Sequence, residues 1–174
     1  MTEDNIMRII DELKKGKFKN DYDNPYNNLM IKLAKEKGFD GLPKIIKGEP
    51  TKDNVLYRKT DRIDELLYGD LSYSGLNTSK VGAGIYFSRN PKQLEGYDGE
   101  LYQFSIADDV KIINVLTLND IWMNLVQQNK HISLLNHKFY DIICLELGID
   151  GYYIPFRKNV VMLNRGKVNY YDLR

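Results

Sequence analysis

Gly82-Ala83-Gly84-Ile85-Tyr86-Phe87-Ser88 is the stretch on which the reading of the fold turns. Two glycines free the backbone of any Cβ, and Ile, Tyr and Phe, which favour a pleated and half-buried surface, follow at once. The order predicts a tight turn leading into a strand. A dinucleotide-binding glycine fingerprint would need a third glycine and a helix at this point. Neither is present, so the doubly wound reading fails here.

Outward from this strand the chain divides cleanly. Upstream, residues 55–59 read as a strand carrying Arg58, Ile63, Leu66 and Leu67 as a short helix closing at Gly69, and residues 71–81 as a polar loop. Earlier still, Ile6, Ile9, Ile10 and Leu13 recur at helical spacing up to Gly16. Asn24-Pro25 opens a second helix whose stripe of Leu29, Leu33 and Ala34 ends at Gly38. Downstream, Pro91 opens a helical turn reaching Tyr97, and residues 101–106 and 110–115 read as strands. Thr117 and Asp120 resemble a capping box ahead of a helix carrying Ile121, Trp122, Leu125 and Val126, and another helix spans about 133–147. Three strands close the chain, at 151–155, 159–163 and 167–171. The last two are expected to form a hairpin through Asn164-Arg165-Gly166. Helices cluster at the start and strands do not alternate strictly with them, which predicts an α+β domain. Residues 1–48 are expected to form an N-terminal helical region packed on residues 49–174, within one domain.

Composition narrows the function. The chain of 174 residues is sized for a single domain. Its 25 Lys plus Arg against 24 Asp plus Glu leave no whole-molecule basic footprint, so nucleic acid is not indicated, although a local basic patch stays open. Cys144 is the lone cysteine, which rules out an internal disulfide and a thiolate zinc cluster and suits a cytoplasmic setting. Residues 1–15 carry acids where a signal peptide would be basic, and no window approaches the ~20 apolar residues of a membrane span. His131 and His137 stand six apart without an HExxH pattern, so no metal site is expected. Trp122 and Cys144 fall within apolar helical runs and read as core.

Four segments remain, in order: Leu56-Tyr57-Arg58, the Gly82 to Ser88 run, Tyr97 eleven residues after Tyr86, and Asn159-Val160-Val161-Met162-Leu163. This set resembles the ADP-ribosyltransferase superfamily. The first piece is similar to the LYRG strand of arginine-type mono-ADP-ribosyltransferases, with Lys59 in place of the glycine. The second resembles the GxGIYF strand of poly(ADP-ribose) polymerases and of phage-associated transferases.

The resemblance implies a split β-sheet with N-terminal helices and NAD as substrate. It implies Arg58 as the fork that holds the pyrophosphate, Gly82 and Gly84 beside the ligand, and Tyr86 and Tyr97 stacked on the nicotinamide. Ser88 would orient Arg58 or the ribose. In most active members a glutamate opens the penultimate strand; here Asn159 stands at that position. Asp150 is the first substitute acid, followed by Asp98 and Glu100. The implied activity is mono-ADP-ribosyl transfer to a macromolecule, a protein foremost, by a phage or prophage effector acting on a host component. The alternative is a catalytically silent module that keeps the pocket to bind NAD, ADP-ribose or a partner.

Overall fold

A computed structural model describes residues 25–73, 83–128 and 140–174 of the chain. The helix expected over 6–13, Gly82, both histidines and the start of the helix expected from 133 lie outside the described residues.

Helix α1 (Pro25–Glu36) begins on proline, whose missing N–H costs nothing in a first turn. It buries Met30, Leu33 and Ala34. Gly38 ends it at φ +73°: Gly38 N bonds to Lys35 O and Phe39 N to Ala34 O, and Phe39 is buried. This pairing satisfies carbonyls that a helix end leaves open. Strand β1 (Lys44–Lys47) follows, then β2 (Leu56–Thr60), the short helix α2 (Ile63–Tyr68) and β3 (Ile85–Ser88). The second half holds β4 (Glu100–Ile106), β5 (Ile112–Asn114), α3 (Val115–Gln128), α4 (Tyr140–Leu147), β6 (Gly151–Ile154), β7 (Asn159–Met162) and β8 (Val168–Asp172).

Among the described residues, all eight strands join one mixed sheet in the order β1-β8-β4-β2-β3-β7-β6-β5. The outermost pairs, β1 with β8 and β5 with β6, are parallel and the rest antiparallel. The architecture is α+β. At its centre β2 follows β4 along its whole length but shares a single register pair with β3, Tyr57 opposite Ser88. The sheet forks there.

Directly paired residues point to the same face and neighbours alternate. Tyr57, Ser88 and Tyr86 therefore share one face, while Leu56, Arg58 and Thr60 share the other with Ile85 and Phe87. On that second face the Phe87 and Phe104 rings lie 4.9 Å apart, beside fully buried Leu56. The core extends through Ile142, Ile143, Cys144 and Leu145 of α4 to Tyr152 and Val161 of the sheet.

Two expectations are corrected. β7 pairs with β3 and β6, and β8 with β4 and β1, so the last strands form no hairpin. The connection Asn164-Arg165-Gly166 instead crosses to the other half of the sheet, held by Arg165, whose three guanidinium nitrogens donate to Gly41 O, Gly69 O and Asp40 O at 2.8 to 2.9 Å. Helix α3 also begins earlier than the Thr117 box implies. Asn114 Oδ1 accepts from Leu116 N at 2.9 Å and caps it. Among the described residues, no helix is long and apolar enough to cross a membrane.

Candidate functional site

Beside the fork lies a cavity of about 570 Å³. Its polar lining comes from Arg58 and Thr60 of β2, from Arg62 and Glu65 at the start of α2, and from Asp70 and Arg165. Helix α1 closes it with Asn27, Asn28 and Ile31, and β3 contributes Ile85.

Each wall is fixed by a specific bond. Arg58 Nη1 donates to Tyr86 O at 2.9 Å, so a side chain joins β2 to β3 where the backbone ladder has already parted. Thr60 Oγ1 accepts from Arg62 N at 3.0 Å and sets the entry into α2. Having accepted, its hydroxyl proton can still be donated into the cavity. Asn27 is buried; its Oδ1 accepts from Tyr73 N at 3.2 Å and its amide donates to Ser72 Oγ at 3.3 Å, which ties α1 to the segment after α2. Tyr73 donates to Leu163 O at 2.6 Å, and burial drives its hydroxyl pKa far above the ordinary range. Burial also lowers the pKa of Arg165, opposed by the charges of Asp40 and Asp70.

The turn ahead of β3 is clamped from both sides. Ala83 N donates to the carboxylate of fully buried Asp141 at 2.7 Å, while Tyr152 donates its hydroxyl to Ala83 O at 3.3 Å. Asp141 stands in the first turn of α4, where its Oδ1 also accepts from Ile142 N at 2.8 Å. It thereby fixes the start of the strand whose Tyr86 carbonyl receives Arg58.

The residues singled out from sequence divide into two groups. Arg58 lines the cavity and Tyr86 holds it by its carbonyl. Ser88 sits on the opposite face from Arg58 and does not orient it: its hydroxyl donates toward Asn90 O and Gln93 Oε1 and accepts from Asn90 N, anchoring the turn Pro91–Leu94. Gly84 does make a close approach, but to the protein, since a Cβ there would collide with the Val161 side chain. Tyr97 is 64% exposed and does not line the cavity. Asn159 is half-buried opposite Ser88 in the ladder, on the face away from Arg58.

Asp150 is corrected as a substitute acid. It is buried, with Oδ2 accepting from Lys111 N and Oδ1 from Asn164 Nδ2, both at 2.8 Å, and its carbonyl takes Leu163 N and Asn164 N. Its charge is committed to tying the end of β7 to the loop before β5, away from the cavity. Asp98 is exposed, and Glu100 accepts from the Tyr102 hydroxyl at 3.1 Å.

Sequence reasoning passed over Thr60, Arg62, Glu65, Asp141 and Arg165. Two signals were present. Asp141 is an acid directly ahead of Ile142-Ile143-Cys144-Leu145, a run apolar on every side, and Arg62 and Glu65 open the helix that follows Arg58. No family model matches the sequence, and no curated protein and no solved structure is significantly similar to it.

Proposed function

We propose that the chain is an NAD-dependent mono-ADP-ribosyltransferase on a split-sheet fold, modifying a macromolecular target, foremost a protein. The observation that carries this reading is Arg58 at the fork, braced against Tyr86 O and lining a cavity. A guanidinium oriented by a strand carbonyl is suited to a paired contact with phosphate oxygens. A volume of about 570 Å³ falls within the range of about 300–1,000 Å³ that small-molecule sites occupy. Arg62 adds a second cation at the same wall, and Thr60 a hydroxyl donor suited to a ribose or phosphate oxygen.

A specific observation favours a second reading, the silent module that binds NAD or ADP-ribose without cleaving it. Asn159 brings no charge to the position where the resembling family carries glutamate, and Asp150 is locked in the framework.

Calorimetric titration of NAD, followed by assay of free nicotinamide, tests both readings. Arg58→Ala is expected to weaken NAD by about 1.5–3 kcal/mol, the range for a hydrogen bond to a charged group. Arg157→Ala, on the exposed turn Pro155–Arg157, is expected to leave it unchanged. Equal affinities in the two variants would remove the proposed pocket. NAD binding without nicotinamide release would establish the silent module.

A further inference from the structure

The cavity contains a carboxylate to which the resemblance to the transferase family does not point. Arg58 and Thr60 lie two apart on β2 and so share a face. The chain leaves that face directly into α2, with Arg62 N held on Thr60 Oγ1 and Glu65 N bonded to Arg62 O at 3.1 Å. Glu65 is therefore one turn beyond the residue that shares the Arg58 wall, and it lines the same cavity. Its side chain is exposed, and among the described residues no hydrogen bond or ion pair engages its carboxylate.

The other acids are differently placed. Asp150 is consumed by Lys111 N and Asn164, and Asn159 faces away from Arg58. Asp70 also lines the cavity, past Gly69, and its charge supports that of Arg165. Gly69 O itself accepts from Arg165 Nη1, which keeps Asp70 beside that cation. Glu65 is the cavity acid nearest in the chain to the proposed phosphate-holding arginine.

We propose that Glu65 is the catalytic carboxylate of this cavity. The assignment rests on the transferase reading above. In the step concerned, the bond from ribose C1′ to the nicotinamide nitrogen breaks and its electron pair leaves with nicotinamide, which becomes neutral. Positive charge then develops over C1′ and the ring oxygen. A carboxylate fixed beside it stabilises that charge most in the transition state, as in glycoside cleavage. With water as acceptor, the oxygen bonds to C1′ and the released proton passes to Glu65 or to solvent, giving ADP-ribose and nicotinamide. Because α2 is rooted on Thr60, the backbone that carries Glu65 is tied to the strand that carries Arg58.

The test compares wild type, Glu65→Gln, Glu65→Asp and Asp53→Asn, each checked for an unchanged melting temperature. NAD affinity is measured by calorimetry and nicotinamide release by a rate assay at saturating NAD. The expected result is a rate for Glu65→Gln lower by about 100- to 1,000-fold, the range for losing one charge-stabilising group. NAD affinity should stay within about threefold of wild type, Glu65→Asp should restore part of the rate, and Asp53→Asn, an exposed acid outside the cavity, should be unaffected. Wild-type turnover by Glu65→Gln overturns the assignment and leaves the transferase reading standing. Parallel loss of rate and NAD affinity also overturns it, since the side chain would then serve binding alone. Failure of the wild-type chain to bind NAD overturns the functional reading itself, and with it the role of Glu65.

Discussion

Two arginines in this protein do opposite work with the same planar fork. Arg58 braces one nitrogen on a strand carbonyl at the wall of a cavity, whereas Arg165 places all three nitrogens on carbonyls of three different residues. Arg165 is almost fully buried, and its partners Asp40, Gly41 and Gly69 come from segments far from it in sequence. A lysine offers three donors from one point and cannot span such acceptors. Arg165→Lys is therefore expected to cost about 2–4 kcal/mol, the scale of losing charge-assisted bonds to buried carbonyls. Urea unfolding would report it as a lower midpoint at constant slope, and a loss below about 1 kcal/mol would mean that the carbonyls find other partners. At this scale Arg58 was legible because a strand arginine stood upstream of a glycine turn. Arg165 was not, because a residue in a short connection carries no periodicity, and the three carbonyls that hold it are adjacent only after folding.

At the scale of elements, the strands with strong β-formers were read within a residue or two, as at β3, β4 and β7, because alternation and aromatic content survive without tertiary context. β1 was missed. Its four residues Lys-Ile-Ile-Lys, within the region 1–48 expected to be helical, give too short a pattern, although the flanking lysines suit an exposed edge. The start of α3 was misplaced for a related reason: Asn114 follows a strand without a break, so its capping role shows only once Leu116 N is seen to bond to it. Asn114→Ala is expected to destabilise the domain by about 0.5–2 kcal/mol, the usual cost of losing an N-cap. Asn114→Ser should recover most of it. Equal unfolding midpoints for the alanine variant and wild type would place the start of α3 elsewhere. The candidate site was only half legible, since alternation assigns residues to faces once register is known, and register put Ser88 and Asn159 on the side away from Arg58.

Over the whole molecule, burial is concentrated where α4 meets the sheet. Cys144 lies at its centre with no exposed surface, and burial pushes its thiol pKa well above the ordinary value, with the charge of Asp141 adding to the shift. A thiol held protonated and covered reacts only when the domain opens. Labelling with an aromatic disulfide reagent should thus be slow in buffer and rise steeply across the urea transition. Immediate reaction of the native chain would show that α4 is loosely held.

The parallel pairing of β1 with β8 sets Lys44 against Asn169 and Lys47 against Asp172. β8 is an interior strand, and β1 reaches the sheet only through it. During synthesis on the ribosome, at roughly 5–20 residues per second, the early strand must wait without a partner until Val168–Asp172 has been made. The arginine bonds that hold Asp40 and Gly41 wait almost equally long, because Arg165 is translated just before β8. The edge strand that carries Ile45 and Ile46 thus depends for its place on residues more than a hundred positions downstream.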